Sequence, residues 1–457
     1  MKLLTIQQAI AKVREWIHIP DSHELISSGI YRNSSPEQSP YYKVELEWNK
    51  QGEPVLDENM LVNPNTIRAE LDAVTGQPIA FYRHDDRDKD KEPQEELEND
   101  KYESLFPYIV QWIQKLGLPI DSKELDLRKK MIIGENRYDF VYGRKHDGIP
   151  VSSHQALHIT LNQAFDLTHL WCVWDACDFA DSHEVIPKEK FKEQLDQSQL
   201  SLCYLNLFLP SDHPFYICRE DVYDAVSGQL ICTDKSDFIE IIDLDTSLPQ
   251  RNQTIHIVRK PVFSEAQYEV LKLDDQVTDV DLTEPHPFYP VITEEEITKA
   301  QDIAVSYLKE SVSEEPWQFA FIHRANGQIV ESMQGNQIKV EIQRFLHGIP
   351  IMGGKIGLFI DRDTWNVTHV MDALKLFQAR RGDKEKERTK NLGCCEPQIV
   401  AETAWEQLYP HVQLTLTYRF KDRHSPDERR NALLVYTLLD CDWICDAVTG
   451  ELTQLAY

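Results

Sequence analysis

A chain of 457 residues is too long for one ordinary domain, and with 41% hydrophobic and 10% aromatic residues it can bury sizeable cores. A formal charge of −28 repels phosphate backbones and anionic lipid, so neither nucleic acid nor a membrane is an expected partner. The clearest basic cluster, "RRGDKEKERTK" over 380–390, is interrupted by acids and reads as a solvated loop.

Ile6, Ile10, Val13 and Ile17 fall at helical spacing and predict a helix over 5–17. The same stretch lacks the apolar run of a secretory signal, and no segment offers the roughly 20 apolar residues that span a bilayer. The expectation is a cytoplasmic protein, with export behind a trimmed signal as the other case. "YYKVELEWN" and "TIRAELDAVTGQPIAFYRH" supply strands that complete an N-terminal half-module over 1–84. The charged run that follows, 85–100, reads as a linker.

A first double module is expected over 101–232. It opens on the amphipathic helix "KYESLFPYIVQWIQKLG" and continues through "RYDFVYGRK", a Gly-Ile-Pro segment and a hairpin. The short helix "PKEKFKEQL" and two further strands complete it. Residues 233–292 contain strand-like pieces such as "QTIHIVRKPVF" but fit no copy of the module. A second double module spans 293–457 in the same order, from "TEEEITKAQDIAVSYLKES" through "IKVEIQRFL" to "VAETAWEQL". Thr293 followed by Glu296 is a capping-box signature. Helices alternating with antiparallel hairpins predict an α+β fold of helix-on-sheet units, two large modules plus the half-module.

Two echoes support the repetition. At an offset of 200 residues Arg144, Gly148, Ile149, Pro150, Thr168 and His169 recur as Arg344, Gly348, Ile349, Pro350, Thr368 and His369. Phe165, Leu167 and Leu170 align with Trp365, Val367 and Val370. Asp224 follows Gly148 by 76 residues and Asp446 follows Gly348 by 98, so the second copy holds a surplus. It is expected in the loops 379–398 and "KDRHSPDERR".

The second echo is a phrase used three times: "DAVTGQPI" at Asp72, "DAVSGQLI" at Asp224 and "DAVTGELT" at Asp446. Strand-like residues flank the first on both sides. Gly76, Gly228 and Gly450 suit the left-handed position of a hairpin turn, and each aspartate can cap the turn's amides. The phrase is therefore expected to be a structural joint rather than a ligand site.

Nine cysteines are an odd number for a disulfide framework. Cys441 and Cys445 on a strand would stand about 13 Å apart, and Cys172 and Cys177 would face opposite ways; neither suits a tetrahedral ion. No disulfide and no zinc are expected, and the vicinal pair Cys394 and Cys395 leaves a redox role open. "DRDTWN" over 361–366 has oxygen ligands at alternate positions but lacks the central glycine and distal glutamate of a calcium loop, so it reads as a turn. No His-Glu-x-x-His, phosphate-binding loop or nucleophile elbow occurs.

The Asp-Ala-Val-Thr-Gly phrases, the "GIPV" and "GIPI" segments and the helix before each sheet together resemble the PepSY-like repeats of the YcdB/YcdC family of Gram-positive bacteria. The likeness covers the chain except roughly 233–292. It implies small helices on antiparallel sheets and a non-catalytic role, some relatives being propeptide or inhibitory domains of proteases. The leading expectation is a non-enzymatic binding or regulatory protein with a protein or peptide partner, a protease among the candidates. The contact would be an open strand edge. The alternatives are a hydrolase with its site at a module junction, His169 or His369 serving as base, and a structural oligomer-forming protein. No residue is assigned to catalysis, cofactor or metal.

Overall fold

The computed structural model describes every residue except 35–40, 53–64, 85–93, 135–136, 152–154, 182–184, 206–210, 233–237, 243–269, 275–276, 278, 282–283, 285, 288, 312–316, 323–329, 334–335, 377–394, 421–429, 440–441 and 456–457. In chain order the first elements are α1 (Ile6–Trp16), β1 (His23–Arg32), β2 (Tyr42–Lys50), β3 (Ile67–Asp72), β4 (Pro78–Arg83) and β5 (Gln94–Glu96). Then come α2 (Asn99–Lys115), β6 (Leu125–Ile133), β7 (Arg137–His146), β8 (Ile149–Pro150), β9 (Ala156–Asn162), β10 (Leu167–Val173) and β11 (Cys177–Phe179). The middle of the chain forms α3 (Lys188–Lys192), β12 (Leu200–Tyr204), β13 (Pro214–Cys218), β14 (Val222–Asp224), β15 (Leu230–Cys232) and β16 (Phe238–Ile241). Next are α4 (Glu294–Ser311), β17 (Gln318–Ile322), β18 (Val330–Met333), β19 (Gln337–Leu346), β20 (Ile349–Asp361) and β21 (Val367–Asp372). The chain ends with α5 (Ala401–Leu408), β22 (Gln413–Phe420), β23 (Arg430–Leu439), β24 (Trp443–Asp446) and β25 (Leu452–Gln454). The fold is α+β.

Two compact units result. Unit 1 comprises Met1–Ser182, Ser264–Glu284 and Thr417–Leu434; unit 2 comprises His183–Phe263, Pro285–Leu416 and Val435–Tyr457.

In unit 1 one sheet runs β1-β2-β3-β4-β10-β9-β7-β6-β5, with β8 on β7. Alternation sets its faces: Val44, Leu46 and Trp48 of β2 are buried, whereas Lys43, Glu45 and Glu47 are not. One core joins Ala9 and Val13 of α1, and Leu105, Ile109 and Ile113 of α2, to that buried face. The capping box of α1 is Thr5 with Gln8, each side chain bonded to the other's backbone amide at 3.2 and 2.9 Å. Strands β7 and β8 turn through Asp147 and Gly148, both at positive φ (48° and 81°), as a type I′ turn requires. The stretch read as a linker differs at its end: Gln94–Glu96 forms β5 on β6, and α2 begins at Asn99.

In unit 2 the order is β16-β17-β19-β20-β12-β13-β24-β25, with β18 on β19 and β21 on β20. Ala300, Ala304 and Leu308 of α4 pack in one core with Ile338, Val340 and Ile342 of β19 and Ile356, Leu358 and Ile360 of β20. The expected capping box of α4 is present, Glu296 N reaching Thr293 Oγ1 at 3.3 Å and Thr293 N reaching Glu296 Oε2 at 2.9 Å. His347 and Gly348 repeat the positive-φ turn at 52° and 75°.

The hairpins that follow depart from a simple repeat. β2 pairs with the next strand, β3. β13 instead passes over β14 and pairs with β24, placing Phe215 opposite Asp446 and Tyr216 opposite Cys445. Reciprocally β14 pairs with β23, placing Asp224 opposite Val435 and Tyr223 opposite Tyr436. The two hairpins are exchanged in equivalent register. Tyr216 Oη donates to Ile399 O at 2.9 Å, and Tyr436 Oη donates to Ile186 O at 2.7 Å. Each acceptor precedes a short helix, α5 or α3.

Candidate functional site

Each residue of the thrice-used phrase has a local task. Asp72 Oδ1 accepts the amides of Val74 and Thr75 at 2.8 and 2.7 Å. Asp224 does the same for Val226 and Ser227 at 3.0 and 2.6 Å, and Asp446 for Val448 and Thr449 at 2.8 and 3.0 Å. The hydroxyls of Thr75, Ser227 and Thr449 accept the amides two residues on. Ala73, Ala225 and Ala447 are fully buried, and Gly76, Gly228 and Gly450 have φ of 71°, 75° and 78°. The carboxylates face their own turns, as the sequence reading expects.

Asp446 makes a further bond: its Oδ2 lies 2.8 Å from His213 Nδ1. Burial pushes this carboxyl up, but the Thr449 amide, His213 and the Val448 amide outweigh it and hold it below the usual carboxylate range. "DRDTWN" is a further turn of this kind. Asp361 Oδ1 accepts Thr364 N at 2.9 Å, with Trp365 at φ 58° where the other turns have glycine.

The two histidines singled out by the repeat stand on non-core faces of their sheets. His169 of β10 lies with its ring 4.5 Å from that of His158 and 4.6 Å from that of Tyr82. His158 Nε2 is 2.6 Å from Asp139 Oδ1, which also accepts the Thr160 hydroxyl at 2.8 Å. Burial raises the Asp139 carboxyl, and the bonds from His158 and Thr160 more than reverse this. A nucleophile–His–acid relay needs its hydroxyl on the imidazole. Thr160 donates to the carboxylate, so the hydroxyl is not activated by His158. His369 of β21 is exposed beside Phe359, ring centroids 5.6 Å apart.

The repeated arginines are anchors. Arg144 bonds Glu124 Oε2 at 2.9 Å and Asp175 O at 2.7 Å, and lies over the rings of Trp174 and Phe179. Arg344 is fully buried and grips Asp372 with both terminal nitrogens at 2.9 and 2.7 Å. Burial pushes the thiols of Cys172 and Cys203 up to about 12. Cys177 is raised by burial although Arg144 opposes it. Among the described residues no group of three His, Cys, Asp or Glu is placed to hold a metal ion, and no helix is long and apolar enough to cross a membrane. Cys394 and Cys441 lie outside the described residues.

What remains is the sheet edges. β10 is paired on both sides, by β9 and by β4, the latter antiparallel with Ala80, Phe81 and Tyr82 opposite Trp171, Leu170 and His169. β21 follows β20 as β10 follows β9, and pairs with it through Met371, Val370 and His369. Among the described residues no strand lies on its other edge. Burial tracks the difference: Leu170 is 0% exposed, whereas Val370 is half-buried and Met371 is 49% exposed.

No protein-family profile matches the chain, and no curated protein does. A distant likeness to one solved structure is found. It is to the Bacillus megaterium YpeB C-terminal domain, at 11% identity and a TM-score of 0.28, covering 51% of this chain and 98% of that one.

Two described pieces of the region 233–292 lie on strand edges. β16 pairs with β17, and Ile242 N reaches Phe319 O at 2.8 Å. Leu271–Leu273 lies on the edge of β1, with Arg32 N to Leu271 O at 2.9 Å and Leu273 N to Ile30 O at 2.8 Å. Both pieces cap edges left by other strands. The edge of β1 is thus occupied at Ile30–Arg32. The strand-like piece "QTIHIVRKPVF" lies outside the described residues, and which edge each described piece covers was not legible in the sequence.

Proposed function

We propose that this chain is a non-enzymatic, PepSY-like protein that binds or regulates a protein or peptide partner by strand addition. In this reading residues 1–84 are a half-module, and 101–232 and 293–457 are two double modules. The linker read over 85–100 gives way to β5 at Gln94 and α2 at Asn99, and 233–292 connect the copies, with Phe238–Ile241 and Leu271–Leu273 on strand edges. The observation that carries the reading is the edge of β21, unpaired among the described residues where its counterpart β10 is paired with β4. A strand edge with unpaired amides and carbonyls is a template for an extended segment. The repetition itself is supported by the matching element order and by the positive-φ turns at 147–148 and 347–348.

The test is capture from an extract of the native cell on the immobilised chain and on a Met371→Asp variant. Met371 is exposed, so the substitution leaves the core alone while placing a charge on the edge. A protein or protease retained by the first and lost from the second fits the reading. An identical retained set on both refutes it.

A further inference from the structure

We infer that the open edge of β21 takes an antiparallel extended segment of a partner protein with a small, an apolar and an aromatic residue opposite Met371, Val370 and His369. This rests on the strand-addition reading above and names the partner's chemistry.

The chain carries its own precedent. On β10 the corresponding places are filled by Ala80, Phe81 and Tyr82, opposite Trp171, Leu170 and His169. Ala80 faces the bulky Trp171 and leaves it room. Phe81 is buried in the core that Leu170 completes. Tyr82 sets its ring edge against His169 at 4.6 Å.

The β21 edge offers the same three functions in different residues. Met371 is a flexible, exposed side chain that favours a small neighbour. Val370 is packed against the α4 core but only half-covered, so an apolar residue beside it would exclude water from both. His369 is exposed with Phe359 next to it on the same face, which suits an aromatic ring opposite. The direction follows from β4, which runs antiparallel to β10. A chain of charge −28 also favours a segment that is neutral or basic.

The probe is a fluorescein-labelled peptide of residues Gln77–His84, "QPIAFYRH", titrated into the full chain by fluorescence anisotropy. Hydrogen exchange across 367–372 is followed in parallel. Saturable binding with protection confined to 367–372 is expected. So is a loss of about tenfold in affinity on Met371→Asp, with an unchanged thermal transition. Two peptides N-methylated at alternate positions separate strand addition from adhesion of side chains. One set should abolish binding and the other leave it intact, because only alternate amides of an added strand face the edge. No protection of 367–372 at about 1 mM peptide overturns the inference. So does equal loss with both methylated sets, or dimerisation of the chain that Met371→Asp abolishes, since a second copy would then own the edge. Cellular capture that depends on Met371 without peptide binding would sink the residue pattern while the strand-addition reading stands.

Discussion

Replacing Gly76, Gly228 and Gly450 with alanine, one at a time, should give unequal losses, and the inequality can be worked out from the turns. All three have φ between 71° and 78°, where a side chain costs about 1–2 kcal/mol relative to glycine. At Gly228 a new Cβ would meet Gln194 Oε1 at 3.4 Å and Ile186 Cδ1 at 3.5 Å; at Gly450 it would meet Ile399 Cδ1 at 3.4 Å. Those contacts are near ordinary van der Waals distance, so the backbone cost of about 1 kcal/mol should stand almost alone. At Gly76 the Cβ would lie 2.5 Å from Lys12 Cε and 2.8 Å from Leu4 Cδ1. Lys12 can swing toward solvent, but half-buried Leu4 must shift as well, adding about 1 kcal/mol, the low end of overpacking. Valine should cost more than alanine at every site, because a β-branched side chain resists this conformation further. Asparagine should cost least, since it tolerates the left-handed region. Urea unfolding gives the global loss, and hydrogen exchange over 67–83, 222–232 and 443–454 assigns it to each hairpin. Equal losses at all three sites, or none at Gly450, would refute the account of the phrase as a joint.

Three further outcomes follow. Arg344→Met should destabilise by about 3–5 kcal/mol in urea unfolding because Asp372 is left buried and charged, and adding Asp372→Leu should recover most of it; an additive double variant would argue against the pair. Asp446 has a depressed carboxyl, so its contribution is complete above its unfolded value of about 3.9 and disappears as pH falls through the folded value. The melting temperature of Asp446→Asn should therefore fall less than that of the wild type between pH 6 and 3, and parallel curves would contradict this. Cys172 and Cys203, pushed up to about 12, should label far more slowly than half-exposed Cys395 with iodoacetamide at pH 8; peptide mapping that finds uniform labelling would overturn the burial argument.

The elements were legible wherever the signal is local. Ile6, Ile10 and Val13 announce α1 by spacing, and the Asp-to-Gly turns announce their hairpins, because both depend on a few neighbouring residues. The role of the threonine or serine before each glycine was equally local but was missed. The gapless alignment at 200 residues fails by one in the middle: Phe140 faces Ile159, whereas Val340 faces Leu358. The extra residue sits in the later turn, closed by Asp361 N to Asn366 O where the earlier is closed by Asn162 N to Asp166 O. Nothing in a strand records its partner, so neither the exchange of hairpins nor the β21 edge, unpaired among the described residues, could be read. The surplus expected over 379–398 falls mostly on residues outside those described, as does that in the loop "KDRHSPDERR".

The exchanged hairpins impose an order of assembly on the growing chain. Phe215 waits for Asp446, 231 residues further on, before its second neighbour exists. At about 5–20 residues per second a ribosome needs roughly 10–50 s to deliver it. For that interval β13 is an edge strand with no partner on one side, a state prone to mispairing. β2 and β3 face no such delay, since β2 finds β3 within a few dozen residues. Synthesis therefore joins β2 to β3 early and holds β13 open until Trp443–Asp446 has emerged.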